Sequence, residues 1–270
     1  MSTDKEKIKE LVKERYGARA ERVINLTPVE LEHTEGDGCG CSTDGACCGV
    51  EDLDHAMLLY NEGQLAGLPA ESIAASAGCG NPTALAGLQL GERVLDLGSG
   101  GGIDCFLASQ QVGDTGKVTG LDMTPSMLEL ARANKTKLGI TNVDFVQGEM
   151  EKMPIPDSSV DVIISNCVVC LSPDKDAVFT ESFRVLSPGG RIHLSDVMAL
   201  TTDGPSVSSP EDWVSCTAGA EHVDVYRDRL VRAGFTEIEF TSEQVDYLDD
   251  HPERPPTNTA GYKVVAHKPA

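Results

Sequence analysis

The sequence lacks an apolar run long enough to cross a membrane, and its first twenty residues are charged, unlike a secretory signal. A transmembrane helix needs roughly 20 consecutive apolar residues, so no membrane span or membrane partner is expected. Basic residues are also scarce, because 22 Lys and Arg stand against 43 Asp and Glu, a formal net charge of −21. Such a surface repels phosphate groups and argues against a nucleic-acid partner. No internal repeat is visible, and we expect a cytoplasmic protein.

Cysteine, in contrast, is abundant, with nine residues in the chain. Cytosolic thiols stay largely reduced and an odd number cannot all pair, so a complete disulfide framework is not expected. Cys105 falls within an amphipathic helical pattern, where a thiol is typically a small buried side chain. The other cysteines lie in predicted loops or at the ends of strands, where packing explains them less well.

The chain is organised around a short apolar strand that runs directly into a glycine-rich turn, VLDLGSGGG over residues 94–102. Glycines let the backbone turn sharply and approach a ligand closely. Residues 103–112 then have the spacing of a helix, with Gly113 at its C-cap. Strand, glycine turn and helix in this order are typical of a nucleotide-type cofactor loop. The glycine spacing differs from the G-x-G-x-x-G pattern that seats a pyrophosphate.

Strands and helices alternate along the chain, which predicts an α/β fold with a doubly wound, Rossmann-like sheet. Apolar runs predict further strands, with helices between them, at residues 117–121, 143–147, 160–165 and 191–197. Residues 235–245 and 262–267 alternate like a terminal antiparallel pair. A short amphipathic helix is predicted over residues 4–16, with Gly17 as its stop. His193 fits a packed strand residue better than a catalyst.

These patterns divide the chain into three parts: an N-terminal helical and cysteine-rich segment at 1–68, a cofactor-binding core at 69–198, and a C-terminal extension at 199–270 that completes the sheet. The first part holds four cysteines in a polar, glycine-bearing loop, Cys39, Cys41, Cys47 and Cys48. Two interpretations stay open for them. They could close a zinc site, although their spacing lacks the two-residue gap of ordinary zinc knuckles. They could instead be mobile thiols that carry a soft ligand or exchange disulfides.

Ligands of a doubly wound sheet bind beyond the carboxyl ends of its strands, and this rule selects the candidate cofactor residues. Asp122 ends the second strand, where a carboxylate can accept both hydroxyls of a ribose. Met127 could lie against an adenine, although a helical methionine is more often core, and Glu149 could accept from the adenine amino group. Cys167 follows the fourth strand and is delivered to the same crevice. The predicted cofactor set is Asp96, Gly98, Ser99, Gly100, Gly102, Asp122, Met123, Met127, Gly148, Glu149, Met150 and Asn166.

The glycine loop with its second-strand acid resembles the class I S-adenosylmethionine-dependent methyltransferases. A more specific resemblance, to the cysteine motifs of the arsenite methyltransferases, extends over most of residues 69–235. It is carried by GCGNP at 78–82, SNCV at 165–168, LSPDK at 171–175 and CTAGA at 216–220, together with GLDMT at 120–124 and SDV at 195–197.

This resemblance implies an activity, a cofactor and a set of ligands. Cys79, Cys167 and Cys216 would bind As(III), S-adenosylmethionine would donate the methyl group, and S-adenosylhomocysteine would be released. Trivalent arsenic is soft, so thiolates suit it better than carboxylates or imidazoles. Its lone pair can attack the sulfonium methyl in an in-line displacement that needs alignment more than a general base. Residues 199–270 would complete the arsenic site.

Methyl transfer oxidises arsenic, and the resemblance implies that thioredoxin or a small thiol such as glutathione restores it through a cysteine disulfide. Cys47 or Cys48 would pass arsenic in or pair with Cys79. Cys170 departs from the family, which usually has Asn there, and it could add a ligand, join a disulfide or simply pack.

Arsenite and methylated arsenicals are therefore the expected substrates. We expect the enzyme to be a monomer. Two alternatives stay open. One is a methyltransferase for a small organic acceptor, such as a quinone precursor, whose cysteines are incidental. The other is a non-catalytic protein that binds a metalloid or zinc on a methyltransferase scaffold.

Overall fold

The computed structural model describes residues 2–25, 59–78, 80–203, 213, 217–243 and 258–270. Within these residues the strands are β1 (Arg93–Leu97), β2 (Lys117–Asp122), β3 (Val143–Gln147), β4 (Val160–Asn166), β5 (Leu186–Ala199), β6 (Glu221–His222), β7 (Thr236–Glu243) and β8 (Thr259–His267). The helices are α1 (Ser2–Ile24), α2 (Glu62–Leu65), α3 (Ala70–Ala74), α4 (Pro82–Leu85), α5 (Ile103–Val112), α6 (Pro125–Leu138), α7 (Lys175–Val185) and α8 (Val223–Ala233), with a 3₁₀ turn at Val169–Leu171.

The described strands form one mixed sheet in the order β3-β2-β1-β4-β5-β8-β7, with the short β6 beside the end of β5. Strands β1 to β5 are parallel, whereas β8 runs antiparallel to β5 and β7 antiparallel to β8. This order confirms the Rossmann-like sheet with a terminal antiparallel pair. The order of the strands changes direction between β1 and β4, and ligands of such sheets bind at this switch point.

The central strands are buried on both faces. Val94 packs in a cluster with Phe106 of α5, whereas its neighbour Leu95 packs on the opposite face in a cluster with Phe179 of α7. Alternate side chains of a strand point to opposite faces, so a near-continuous apolar run is what a doubly covered sheet requires. Each such large apolar side chain contributes about 1.5–3 kcal/mol of burial free energy, and this packing fixes the strand ends that carry the site.

The predicted end of the first helix is wrong, because α1 continues through Gly17 to Ile24. Beyond the glycine, Ala20 and Val23 are buried against Met127 of α6, and this tertiary packing outweighs the weak helix propensity of glycine. The Ser126 hydroxyl also donates to the Gly17 carbonyl at 3.5 Å, which ties the two helices together.

Other predicted elements agree more closely with the structure. Helix α5 has the predicted bounds, and Gly113 ends it as expected. Strand β5 is longer than predicted and includes the turn-like residues 187–190. None of the helices in the described ranges combines the length and apolarity that a bilayer span requires. The three-part division of the chain stays a prediction.

Candidate active site

A cleft of about 980 Å³, which includes its opening to solvent, lies at the carboxyl ends of β1, β2 and β4. Helix α1 contributes Lys9, Val12 and Tyr16 to the wall. Nine of the predicted cofactor residues line the cleft: Gly98, Ser99, Gly100, Asp122, Met123, Met127, Gly148, Met150 and Asn166.

The glycine loop forms one wall of this cleft and is held at the tip of β2. The backbone amides of Gly98 and Ser99 both donate to the Leu121 carbonyl, at 2.7 and 3.0 Å. Gly98 has a φ of +70°, and a Cβ there would lie 2.5 Å from the Val168 side chain, so only glycine fits between the two loops. The Ser99 hydroxyl is buried without a hydrogen-bond partner among the described residues. A polar cofactor group would satisfy that hydroxyl, which supports a cofactor at this wall.

Asp122 ends β2 and is fixed by backbone amides. One carboxylate oxygen accepts from Gly100 at 2.9 Å and the other from Thr124 at 2.8 Å. Burial raises the pKa of Asp122, and the hydrogen bonds from backbone amides act in the opposite direction. Each carboxylate oxygen can accept a further hydrogen bond, so this side chain can still bind ligand hydroxyls.

A buried network joins the glycine loop to the end of β4. The Tyr60 hydroxyl lies 3.1 and 3.0 Å from the two Asp104 carboxylate oxygens, and the Asn166 amide donates to the same carboxylate at 3.2 Å. Burial raises the pKa of Asp104 to about 6, while the hydrogen bonds from Asn166 and Tyr60 lower it. The Asn166 side chain also donates to the Gly80 carbonyl at 2.7 Å and accepts from the Gly80 amide at 3.1 Å.

Three predicted cofactor residues do not line the cleft. Asp96 is 2% exposed and accepts a hydrogen bond from the Cys105 thiol at 3.2 Å, so it lies inside the core. Burial raises the pKa of both Asp96 and Cys105. Gly102 is the N-cap of α5, and Glu149 forms ion pairs with Lys9 and Lys13 of α1 at 2.7 and 3.4 Å. Their part in cofactor binding stays a prediction.

Cys167 lines the cleft and begins an unusual turn. It has a φ of +58°, and its amide donates to the Ser195 carbonyl of β5 at 2.7 Å. A left-handed backbone at a residue with a Cβ is strained by about 1–3 kcal/mol, and such residues cluster at functional sites. The turn brings the Cys167 and Cys170 thiols and the Asp196 carboxylate within 4.8 Å of one another. All three residues are buried, and Tyr226 donates to Asp196 at 3.1 Å.

Two of the predicted arsenic ligands, Cys79 and Cys216, lie outside the described residues, as do Cys39, Cys41, Cys47 and Cys48. Their described chain neighbours nevertheless meet at the Cys167 turn. Gly78 packs so tightly on the Asn166 side chain that a Cβ would overlap it, and Gly219 packs in the same way on the Cys170 carbonyl. Trp213 also donates to the Leu171 carbonyl at 2.9 Å. The motifs of all three predicted ligands therefore converge on this turn.

Comparisons with known proteins agree with this geometry. Residues 88–249 match the sequence profile of a family described as "Methyltransferase domain". A crystal structure of CrArsM, an arsenic(III) S-adenosylmethionine methyltransferase from Chlamydomonas reinhardtii, is similar with a TM-score of 0.62. That similarity comes with 37% identity and covers 77% of this chain and 72% of that chain. The chain belongs to the arsenite methyltransferase family.

Curated arsenite methyltransferases extend beyond the part that this chain matches. The protein from Halobacterium salinarum is 41% identical over 250 residues, which cover 92% of this chain and 62% of the relative. The protein from Aquipseudomonas alcaligenes is 37% identical over 215 residues, covering 76% of this chain and 60% of the relative. The chain thus spans about three fifths of the length of these relatives.

Several residues at the cleft are not predicted from the sequence. Asp104 carried a local signal, an acid in the first turn of the helix that follows the glycine loop. The wall residues of α1 carried none, because only the fold brings them to the cleft, and only the fold brings Tyr60 to the Asp104 carboxylate. His193, predicted to be a packed strand residue, is 8% exposed. Neither of its ring nitrogens has a partner in the described part of the chain, and burial lowers the pKa of this imidazole to about 4.

Proposed function

We propose that this chain methylates trivalent arsenic, with S-adenosylmethionine as donor, and converts arsenite to methylated arsenicals. One observation carries the proposal: Cys167 lines the same cleft as the glycine loop and Asp122. A metalloid held by that thiol would share a cavity with the residues that fit the donor. The family of the chain, and the two relatives called arsenite methyltransferases, support the same chemistry.

The residues of the cleft fit the parts of the donor. Gly98 and Gly100 would let backbone approach its methionine end, Asp122 would accept from its ribose hydroxyls, and Met127 would contact its adenine. The Ser99 hydroxyl would gain the partner that it lacks among the described residues. When bound, S-adenosylmethionine would supply a methyl group activated by its sulfonium. The lone pair of thiolate-held As(III) would attack that carbon, and the C–S bond would break to release S-adenosylhomocysteine.

Cys167 would hold arsenic together with Cys79 and Cys216. Three thiols replace the three hydroxyls of arsenite, three As–S bonds form, and the thiol protons leave with the hydroxyls as three waters. Three soft thiolates suit As(III), and the lone pair of arsenic stays free. The packing of Gly78 and Gly219 around the Cys167 turn supports this set, since each lies within three residues of a predicted ligand.

A reductant is also part of the proposal, because methyl transfer leaves arsenic pentavalent and two electrons must return before another cycle. Thioredoxin or glutathione would supply them through cysteine thiols, with Cys47 or Cys48 as relay to Cys79. S-adenosylhomocysteine would be the second product. We further propose a cytoplasmic monomer without nucleic-acid or membrane partners, in keeping with the net charge of −21.

The test is methyl transfer from labelled S-adenosylmethionine to arsenite in the presence of glutathione. Wild type should form labelled methylarsenicals, whereas Cys79→Ser, Cys167→Ser and Cys216→Ser should each lose most of that activity. Cys105→Ser is the matched control, because its thiol faces Asp96 in the core, and it should stay active. No labelled product from wild type would refute the proposal. Methyl transfer to an organic acceptor that survives Cys167→Ser would favour a methyltransferase for a small organic acceptor. Tight As(III) binding without methyl transfer would favour a non-catalytic binding protein.

A further inference from the structure

Cys170 lies in the same turn as Cys167, in the middle of the 3₁₀ segment Val169–Leu171. Its thiol, the Cys167 thiol and an Asp196 oxygen all lie within 4.8 Å of one another. The register of β4 with β5 produces this arrangement. Asn166, the last residue of β4, pairs with Ser195 of β5, so Cys167 after Asn166 lies beside Asp196 after Ser195. The left-handed backbone at Cys167 then turns the chain so that Cys170 returns to the same place.

We propose that Cys167 and Cys170 form a dithiol that by itself binds monosubstituted trivalent arsenicals, without Cys79 or Cys216. The inference deepens the proposed function by naming a further ligand and the form of arsenic that it holds. Cys170 is thus a substrate-binding residue behind Cys167, which itself lines the cleft through which the arsenical enters.

The separation of the two thiols fits chelation. Thiolates bind a metal centre such as zinc at about 2.3 Å, so two sulfurs on one centre lie at most about 4.6 Å apart. The two thiols lie within 4.8 Å of one another, so rotation of their side chains can bring both sulfurs onto one centre. One loop supplies both ligands, so little further ordering is required on binding.

The surroundings of Cys170 differ from those of a thiol that only packs. Cys105 is such a thiol, enclosed in the core by the residues of α5 and β1. Cys105 also lies beside a carboxylate, that of Asp96. Cys170, however, has a second thiol, that of Cys167, within 4.8 Å, and the Lys175 ammonium donates to the Cys170 carbonyl at 3.2 Å. Adjacent thiols are the type of ligand that a soft centre such as trivalent arsenic prefers.

The chemistry requires two thiols and no redox step. A monosubstituted arsenical R–As(OH)₂ exchanges two hydroxyls for two thiolates, so two As–S bonds form and two As–O bonds break. The thiol protons leave with the hydroxyls as two waters, and arsenic stays trivalent. The singly methylated trivalent product has this composition, so the dithiol would retain it in the cleft after one methylation.

The test uses phenylarsine oxide, a monosubstituted trivalent arsenical, and a background variant in which Cys39, Cys41, Cys47, Cys48, Cys79 and Cys216 are serine. This variant keeps only Cys105, Cys167 and Cys170. Titration calorimetry and intact-protein mass spectrometry should show about one bound equivalent, which a small dithiol removes. Adding Cys170→Asn should abolish binding, whereas adding Cys105→Ser should leave it unchanged. S-adenosylhomocysteine binding by every variant serves as the folding control.

Two results would overturn the inference: a folded background variant that binds no arsenical, or binding that survives Cys170→Asn. If the background variant does not fold, wild type decides by alkylation. Bound phenylarsine oxide should protect both Cys167 and Cys170 from iodoacetamide, and an unprotected Cys170 would contradict the inference. The proposed function is tested by a different result. It would be refuted if wild type formed no labelled methylarsenical even though the dithiol bound phenylarsine oxide.

Discussion

The side-chain amide of Asn166, the last residue of β4, donates a hydrogen bond of 3.2 Å to the Asp104 carboxylate in the first turn of α5. The same side chain bonds Gly80 through both its donor and its acceptor. Asn166 precedes Cys167 in the chain, and Gly80 follows Cys79. One amide therefore connects the glycine-loop helix to the neighbours of two predicted arsenic ligands.

Replacing Asn166 with Leu should weaken both sites at once. The variant leaves the Asp104 carboxylate and the Gly80 backbone with fewer partners, at a cost of about 1–3 kcal/mol for each buried group. We expect at least tenfold weaker binding of S-adenosylhomocysteine and of arsenite by calorimetry. Asn142→Leu is the control, because Asn142 donates to the Ser109 and Gly113 carbonyls at the amino end of β3. It should lower stability without changing ligand affinity, and equal effects of the two variants would contradict the account.

Asp122→Ala should weaken cofactor binding. Lost hydrogen bonds to a charged group amount to about 1.5–3 kcal/mol, which is roughly a tenfold to hundredfold change in affinity. Calorimetry with S-adenosylhomocysteine measures it, with Asp114→Ala as the control, since Asp114 is exposed in the loop before β2. Unchanged affinity in Asp122→Ala would show that this carboxylate does not hold the ribose.

Asp104 should make stability fall as pH rises between about 4 and 6. Burial raises the pKa of Asp104 from its ordinary 3.8 to about 6, so within this window the folded protein holds a proton that the unfolded chain has released. The stabilisation is complete below pH 3.8 and lost above 6, and the difference corresponds to about 3 kcal/mol. Urea unfolding across this range should give a flatter pH dependence for Asp104→Asn than for wild type. Identical slopes would refute the assignment.

Gly219→Ala should impair arsenic binding but not cofactor binding. A Cβ at this position would overlap the Cys170 carbonyl oxygen, so the segment at 217–220 must move away from the Cys167 turn. We expect a loss of at least tenfold in arsenite affinity, with S-adenosylhomocysteine affinity retained. Gly139→Ala is the control, because its Cβ meets nothing within 4 Å, while an alanine at its φ of +65° costs about 1–2 kcal/mol of stability. Unchanged arsenite affinity in Gly219→Ala would separate this segment from the site.

The sequence predicted those parts of the fold and site that depend on local patterns. The glycine loop after β1 is predicted correctly because apolar periodicity and glycine spacing are properties of neighbouring residues. The position of Asp122 is predicted because this residue ends an apolar run. The predicted end of α1 is wrong because the packing of Ala20 against α6 extends the helix, and a tertiary contact cannot be read from the local sequence. Asp196 beside Cys167 depends on the register of β4 with β5, and register cannot be read from either strand alone.

A crystal structure of the protein with arsenite and S-adenosylhomocysteine bound would show directly whether arsenic lies beside the cofactor. We predict that arsenic is bonded to the Cys167 sulfur, with its lone-pair side towards the sulfur atom of S-adenosylhomocysteine in the cleft. Arsenic bound elsewhere, or a Cys167 thiol turned away from the cofactor sulfur, would contradict it.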